Sequence, residues 1–108
     1  MKLLLYRAEV FNADFNQQYC WYLAAAGEDL AGCFVTAVEN ALQLLLTQPD
    51  MGQRRNFRHP ALAGIRSLRV EPPFQKNLIF YRHTASELSV ERLMHGARDL
   101  PRRLTEFL

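Results

Sequence analysis

The sequence has 108 residues and a mass of 12.5 kDa, room for one domain and too little for two. Hydrophobic residues make up 49% and charged residues 22%, which excludes a disordered chain, and no apolar run reaches the ~20 residues of a membrane span. The net charge of +2 conceals a split: residues 1–50 carry two basic and six acidic side chains, residues 51–108 eleven and five, so an anionic partner is expected for the second half.

Residues 2–7 (KLLLYR) read as an opening strand. The leucines there are cut off by Arg7 and Glu9, too soon for a signal-peptide core, so a mature, cytoplasmic protein is expected. Phe11, Phe15, Tyr19, Tyr22, Leu23 and Ala26 then recur at spacings of three and four, the apolar face of a helix. Asn12 is its expected N-cap and Gly27 its stop. The aromatic stripe reads as packing against a sheet rather than as a ligand site. A second helix is expected from about residue 28 to 47, with Leu30, Phe34, Val38, Ala41, Leu42 and Leu45 as its stripe and Glu28 and Asp29 at the positive end of its dipole. With only Gly27 between them, the two helices should form an antiparallel hairpin.

Residues 49–64 carry Pro, Gly, Asn and three arginines and read as a loop. Residues 65–71 read as a strand with Arg66, Leu68 and Val70 on one face and Ile65, Ser67 and Arg69 on the other. Pro72 and Pro73 make a turn. Residues 77–83 (NLIFYRH), almost continuously β-favouring, suit a central strand. After a polar turn at 84–87, residues 88–95 form the last strand, Gly96 ends it, and residues 97–108 read as a short helical tail. The order is β-α-α-β-β-β: a single α+β domain over residues 1–108, with the helical hairpin packed on an antiparallel sheet.

Chemistry-bearing motifs are sparse. No glycine-rich dinucleotide loop, P-loop or nucleophile elbow is present. Cys20 and Cys33 read as two free, partly buried thiols. His59, His83 and His95 lack ligand spacing, so no metal and no cofactor is expected. What remains is the basic second half, with Phe57, Phe74 and Tyr81 interleaved as bases could require. Strand alternation sends Arg66 and Arg69 to opposite faces, so one patch would need loops to gather it.

The last two strands are more specific. LIFYR (78–82), a polar turn and LSVERLMHGARDL (88–100) resemble the RelE/ParE family of bacterial type II toxins, with a closer likeness to the ParE branch. The stretches 49–55 and 63–70 match the same family's loop and first meander strand. The resemblance implies a toxin neutralised by direct binding of a cognate antitoxin in a hetero-oligomer. Tyr6, Phe11, Phe15 and Trp21 are the expected antitoxin-binding residues. It also implies one of two activities. ParE-like members act on DNA gyrase and are not nucleases. RelE-like members cut mRNA in the ribosome without a metal, using a positive cradle and a proton shuttle. Arg66, Arg82, His95 and Arg98 would fill those roles here. The strand at 77–83 lacks an arginine at its start and the tail lacks a tyrosine, departures that favour gyrase over the ribosome. The expected target-binding residues are Arg54, Arg55, Arg58, Lys76, Arg82, Arg92, Arg98, Arg102 and Arg103. An inactive family member that only binds antitoxin is the third reading.

Overall fold

A computed structural model describes residues 3–96 and 100–105. Its elements are β1 (Leu4–Arg7), α1 (Glu9–Ala26), α2 (Glu28–Thr47), β2 (Gln53–Arg54), a 3₁₀ turn (Pro60–Leu62), β3 (Arg66–Arg69), β4 (Asn77–His83), β5 (Glu87–His95) and α3 (Leu100–Thr105). The α+β class and the hairpin-on-sheet architecture are as the sequence predicts. The sheet is not purely antiparallel. Its order is β1-β5-β4-β3-β2, and β1 runs parallel to β5. The segment expected to be all loop supplies the two-residue strand β2, which pairs with Arg66 and Ser67. α1 begins at Glu9, not after Asn12. The Asn12 backbone N–H is already inside the helix, bonded to the Ala8 carbonyl, and its side chain accepts from Arg7 instead of capping.

Each face of the sheet buries its own apolar set. The α1/α2 hairpin covers one, where Phe11, Phe34, Val38, Leu42 and Leu45 pack on Ile79, Tyr81, Leu88 and Val90. On the other face Leu62, Ile65, Leu78, Phe80 and Met94 meet Leu104 of α3. α2 is long and apolar enough for a membrane span by length and composition, but its stripe is committed to this core. Gly27, at φ 90°, turns α1 into α2 in a conformation that favours glycine.

A β-bulge shapes the β4–β5 hairpin. Phe80 pairs with Arg92 and Tyr81 with Val90, leaving Glu91 as the extra residue. Ahead of the bulge, the carbonyls of Ser86, just before β5, and of Val90 accept from Leu4 and from Ala8, just after β1. Beyond it the parity changes, and the Leu93 N–H points away from β4 to the Asp14 carboxylate on α1, 3.1 Å away. A single side chain of α1 thus takes over where β1 ends.

Candidate functional site

Three of the basic residues of the second half, Arg66, Arg82 and Arg92, are spent on acidic partners within the fold. Arg92, 8% exposed, is held bidentately by Asp14 at 2.7 and 3.1 Å, which corrects its expected place among target-binding side chains. The pair ties α1 to β5 across a water-poor seam, where a charge without its partner is costly. Arg82 lies 3.1 Å from Glu91 and also donates to the Ala61 carbonyl. Burial raises the Glu91 pKa above its ordinary value, and Arg82 opposes that shift. Arg66 donates to the Asp50 and Gly52 carbonyls and lies 3.5 Å from the Asp50 carboxylate. Arg55 donates to Ser67 Oγ at 2.8 Å, with its guanidinium 6.0 Å from the Phe80 ring.

The three described members of the expected catalytic cradle do not converge. Arg66 pairs in register with Tyr81, so Arg82, the next residue, turns to the opposite face. His95 pairs with Asn77, five residues along β4 from Arg82, about 17 Å at the rise of a strand. Arg98 lies outside the described residues. Of the remaining expected target-binding side chains, Arg54, Arg58, Lys76 and Arg102 are exposed and make no ion pair among the described residues. Arg54 and Arg58 sit beyond the start of β3, whereas Lys76 lies at the other end of β4. The Arg103 side chain is not among those described. Phe74 and Tyr81, expected as possible stacking rings, are 2% and 0% exposed and belong to the core.

The expected antitoxin-binding residues divide as well. Phe11 is wholly buried, because the apolar stripe it heads packs on the sheet, so it presents no surface. Phe15 is half-buried, stacked on Phe34 at 5.6 Å. Tyr6 is on β1 rather than the helical hairpin. With Leu4 it forms an exposed row along the sheet edge, 54% and 74% accessible. Arg7, the one charge on this strand, turns inward to Glu39 at 3.0 Å and leaves the edge apolar. Cys20 and Cys33 are both exposed, not partly buried; their positions fall on the outer sides of α1 and α2.

Two arrangements escaped the sequence reading. The first is a latch on the 49–52 loop. The buried Tyr81 hydroxyl donates to the Pro49 carbonyl at 2.7 Å and accepts from the Gly52 N–H at 2.9 Å. Burial raises the Tyr81 pKa above its ordinary 10.0, outweighing the Gly52 N–H and Arg66, so the hydroxyl stays a donor. His83 Nε2 meets the Asp50 carboxylate at 2.8 Å on the same loop. The second is a cavity of about 460 Å³ beyond the end of β1, lined by Asp14, Gln17, Gln18, Trp21, Arg92, Leu93 and His95. Spacing along α1 shows that Gln17, Gln18 and Trp21 share a side. Nothing local announces that the end of β5 lies beneath them.

The family model for the ParE toxin of the type II toxin–antitoxin system parDE matches residues 7–100. Among solved structures, a chromosomal ParDE toxin–antitoxin system from P. aeruginosa superposes with a TM-score of 0.71. It is 20% identical, with 89% of this chain and 98% of that chain covered. The E. coli DinJ-YafQ toxin–antitoxin complex superposes with a TM-score of 0.58 at 13% identity, over 88% of this chain and 93% of that one. No curated protein sequence matches the chain.

Proposed function

The chain belongs to the ParE toxin family of type II toxin–antitoxin systems, and from that premise we propose that it arrests growth in the cytoplasm by inhibiting DNA gyrase and is neutralised by direct binding of a cognate antitoxin. The family match across residues 7–100 carries the proposal. The placement of the basic side chains supports gyrase over messenger cleavage. A metal-independent ribonuclease needs its cations and proton shuttle around one phosphate. Arg66 and Arg82 are on opposite faces, both engaged within the fold, and His95 is a strand's length away.

The antitoxin surface in this reading starts at the β1 edge. Alternation turns the Leu5 and Arg7 backbone groups away from β5, so a partner strand can pair with them while covering Leu4 and Tyr6. Arg54 and Arg58, exposed and without ion pairs among the described residues, are the cations offered to the target.

The test is expression of the chain with and without its antitoxin, followed by a supercoiling assay on purified gyrase. The expected result is growth arrest relieved by the antitoxin, with supercoiling inhibited in proportion to the toxin added. Toxicity with unimpaired supercoiling refutes the gyrase assignment. Messenger cleavage in a translating extract, lost in Arg82→Ala, would replace it with the ribosomal reading.

A further inference from the structure

We infer that the cavity between α1 and the end of β5 binds an unpaired nucleobase, stacked on Trp21 and read by the carboxamides of Gln17 and Gln18, so that the chain carries a site for single-stranded nucleic acid.

The site follows from the way β5 is covered. Beyond the bulge at Glu91 no strand among the described residues pairs with β5 on the side away from β4, and α1 lies alongside it in place of β1. Asp14 accepts the Leu93 N–H and both near nitrogens of Arg92, so the floor of the cavity is electrically neutral and its carboxylate is spent. Strand alternation turns the backbone of His95, like that of Leu93, away from β4 toward this side. Two turns along α1 from Asp14, Trp21 is 57% exposed. Its ring is steadied by two neighbours: Tyr22 meets it edge-on at 5.1 Å, and His95 lies tilted across it at 6.3 Å. A large apolar ring held in place yet open to water is a stacking platform.

The lining defines the occupant. Gln17 and Gln18 each offer a donor and an acceptor with no charge, the complement of a base edge. With Asp14 consumed by Arg92, the described lining of the cavity has no free carboxylate to repel a phosphodiester. A cation stands nearby in the fold: Lys76, exposed, precedes the cross-strand partner of His95, and its carbonyl accepts from Gly96 N at 2.9 Å. A lysine there suits a nucleic-acid backbone and adds nothing for a neutral sugar.

The experiment titrates purified toxin with fluorescein-labelled oligothymidylate and oligoadenylate and reads both anisotropy and quenching of Trp21, the single tryptophan of the chain. Binding should quench the tryptophan. Stacking contributes ~1–3 kcal/mol per base, so Trp21→Ala should weaken binding about 5- to 150-fold while Trp21→Phe keeps most of it. Gln17→Ala should narrow the difference between the two oligonucleotides. Lys76→Ala should lower the slope of log affinity against log salt by about 0.7. Three results overturn the proposal: no binding, binding that Trp21→Ala leaves unchanged, or quenching by maltotriose in place of the oligonucleotides. Thermal melting of each variant checks that the exposed substitutions leave the fold intact. The readouts involve no gyrase, so they stand apart from the supercoiling assay.

Discussion

Gly52→Ala tests the loop latch most directly. A Cβ at this position would lie 2.3 Å from the Tyr81 hydroxyl oxygen, 2.7 Å from its Cε1 and 2.9 Å from the Ser67 carbonyl. None of these can yield easily: Tyr81 is fully buried and Ser67 belongs to β3. Overpacking of this kind costs about 1–3 kcal/mol. Moving the ring also loosens the hydrogen bonds from Gly52 N and to the Pro49 carbonyl, worth about 1 kcal/mol each. The sum, roughly 3–5 kcal/mol, is a large part of the stability of a domain this size and should lower Tm by more than about 10 °C. Urea and thermal unfolding of Gly52→Ala, Tyr81→Phe and the double variant measure it. Removing the hydroxyl takes away the nearest contact, so the double variant should cost less than the two singles added together. A Tm drop below about 2 °C for Gly52→Ala, or strict additivity in the cycle, would refute the reasoning.

Asp14→Ala should cost about 3–5 kcal/mol in urea unfolding because it removes the carboxylate that holds Arg92 in a seam where the two side chains are 10% and 15% exposed. Glu39→Gln, at the more open pair with Arg7, should cost under about 1 kcal/mol. Phe11→Ala should destabilise by about 3–5 kcal/mol. Tyr6→Ser should leave stability within about 0.5 kcal/mol and weaken the antitoxin complex, as calorimetric titration would detect. Glu91 carries a raised pKa, so the folded state holds its proton more tightly than the unfolded chain does. Its contribution is complete below the ordinary 4.5 and is lost as pH rises through the folded value. A Tm series upward from that pH should fall more steeply for the native chain than for Glu91→Gln; parallel curves would exclude the effect.

The elements with strong local signals were readable from the sequence. α2 spans Glu28–Thr47 and β4 spans Asn77–His83 as predicted, because an uninterrupted helical stripe and a continuous β-favouring run leave little room for another outcome. What escaped was set by partners far along the chain. Asn12 looks like a cap until Arg7 folds back onto it. Arg92 looks like a free cation until Asp14, 78 residues earlier, closes on it. The charge split between the two halves proved to be partly internal, since Asp14 and Asp50 of the acidic half meet Arg92 and Arg66 of the basic one. The parallel placement of β1 leaves no local trace either, because periodicity reports a strand and not its neighbour. The candidate site was legible only residue by residue: Trp21 and His95 were singled out for different roles, and the fold alone brings them together.

The pairing of β1 with β5 also sets an order on synthesis. Leu4 lies beside Glu87, so the first strand leaves the ribosome 83 residues before the strand that receives it. At the ~5–20 residues per second of translation, that is a wait of about 4–17 s. Through that interval the leucine-rich opening segment has no sheet to join, and the α1 seam cannot close because Arg92 has not yet been made. The nascent chain therefore carries an apolar, unpaired first strand until β5 is made, and on the proposed reading an antitoxin already in the cell can meet that strand before the sheet is complete.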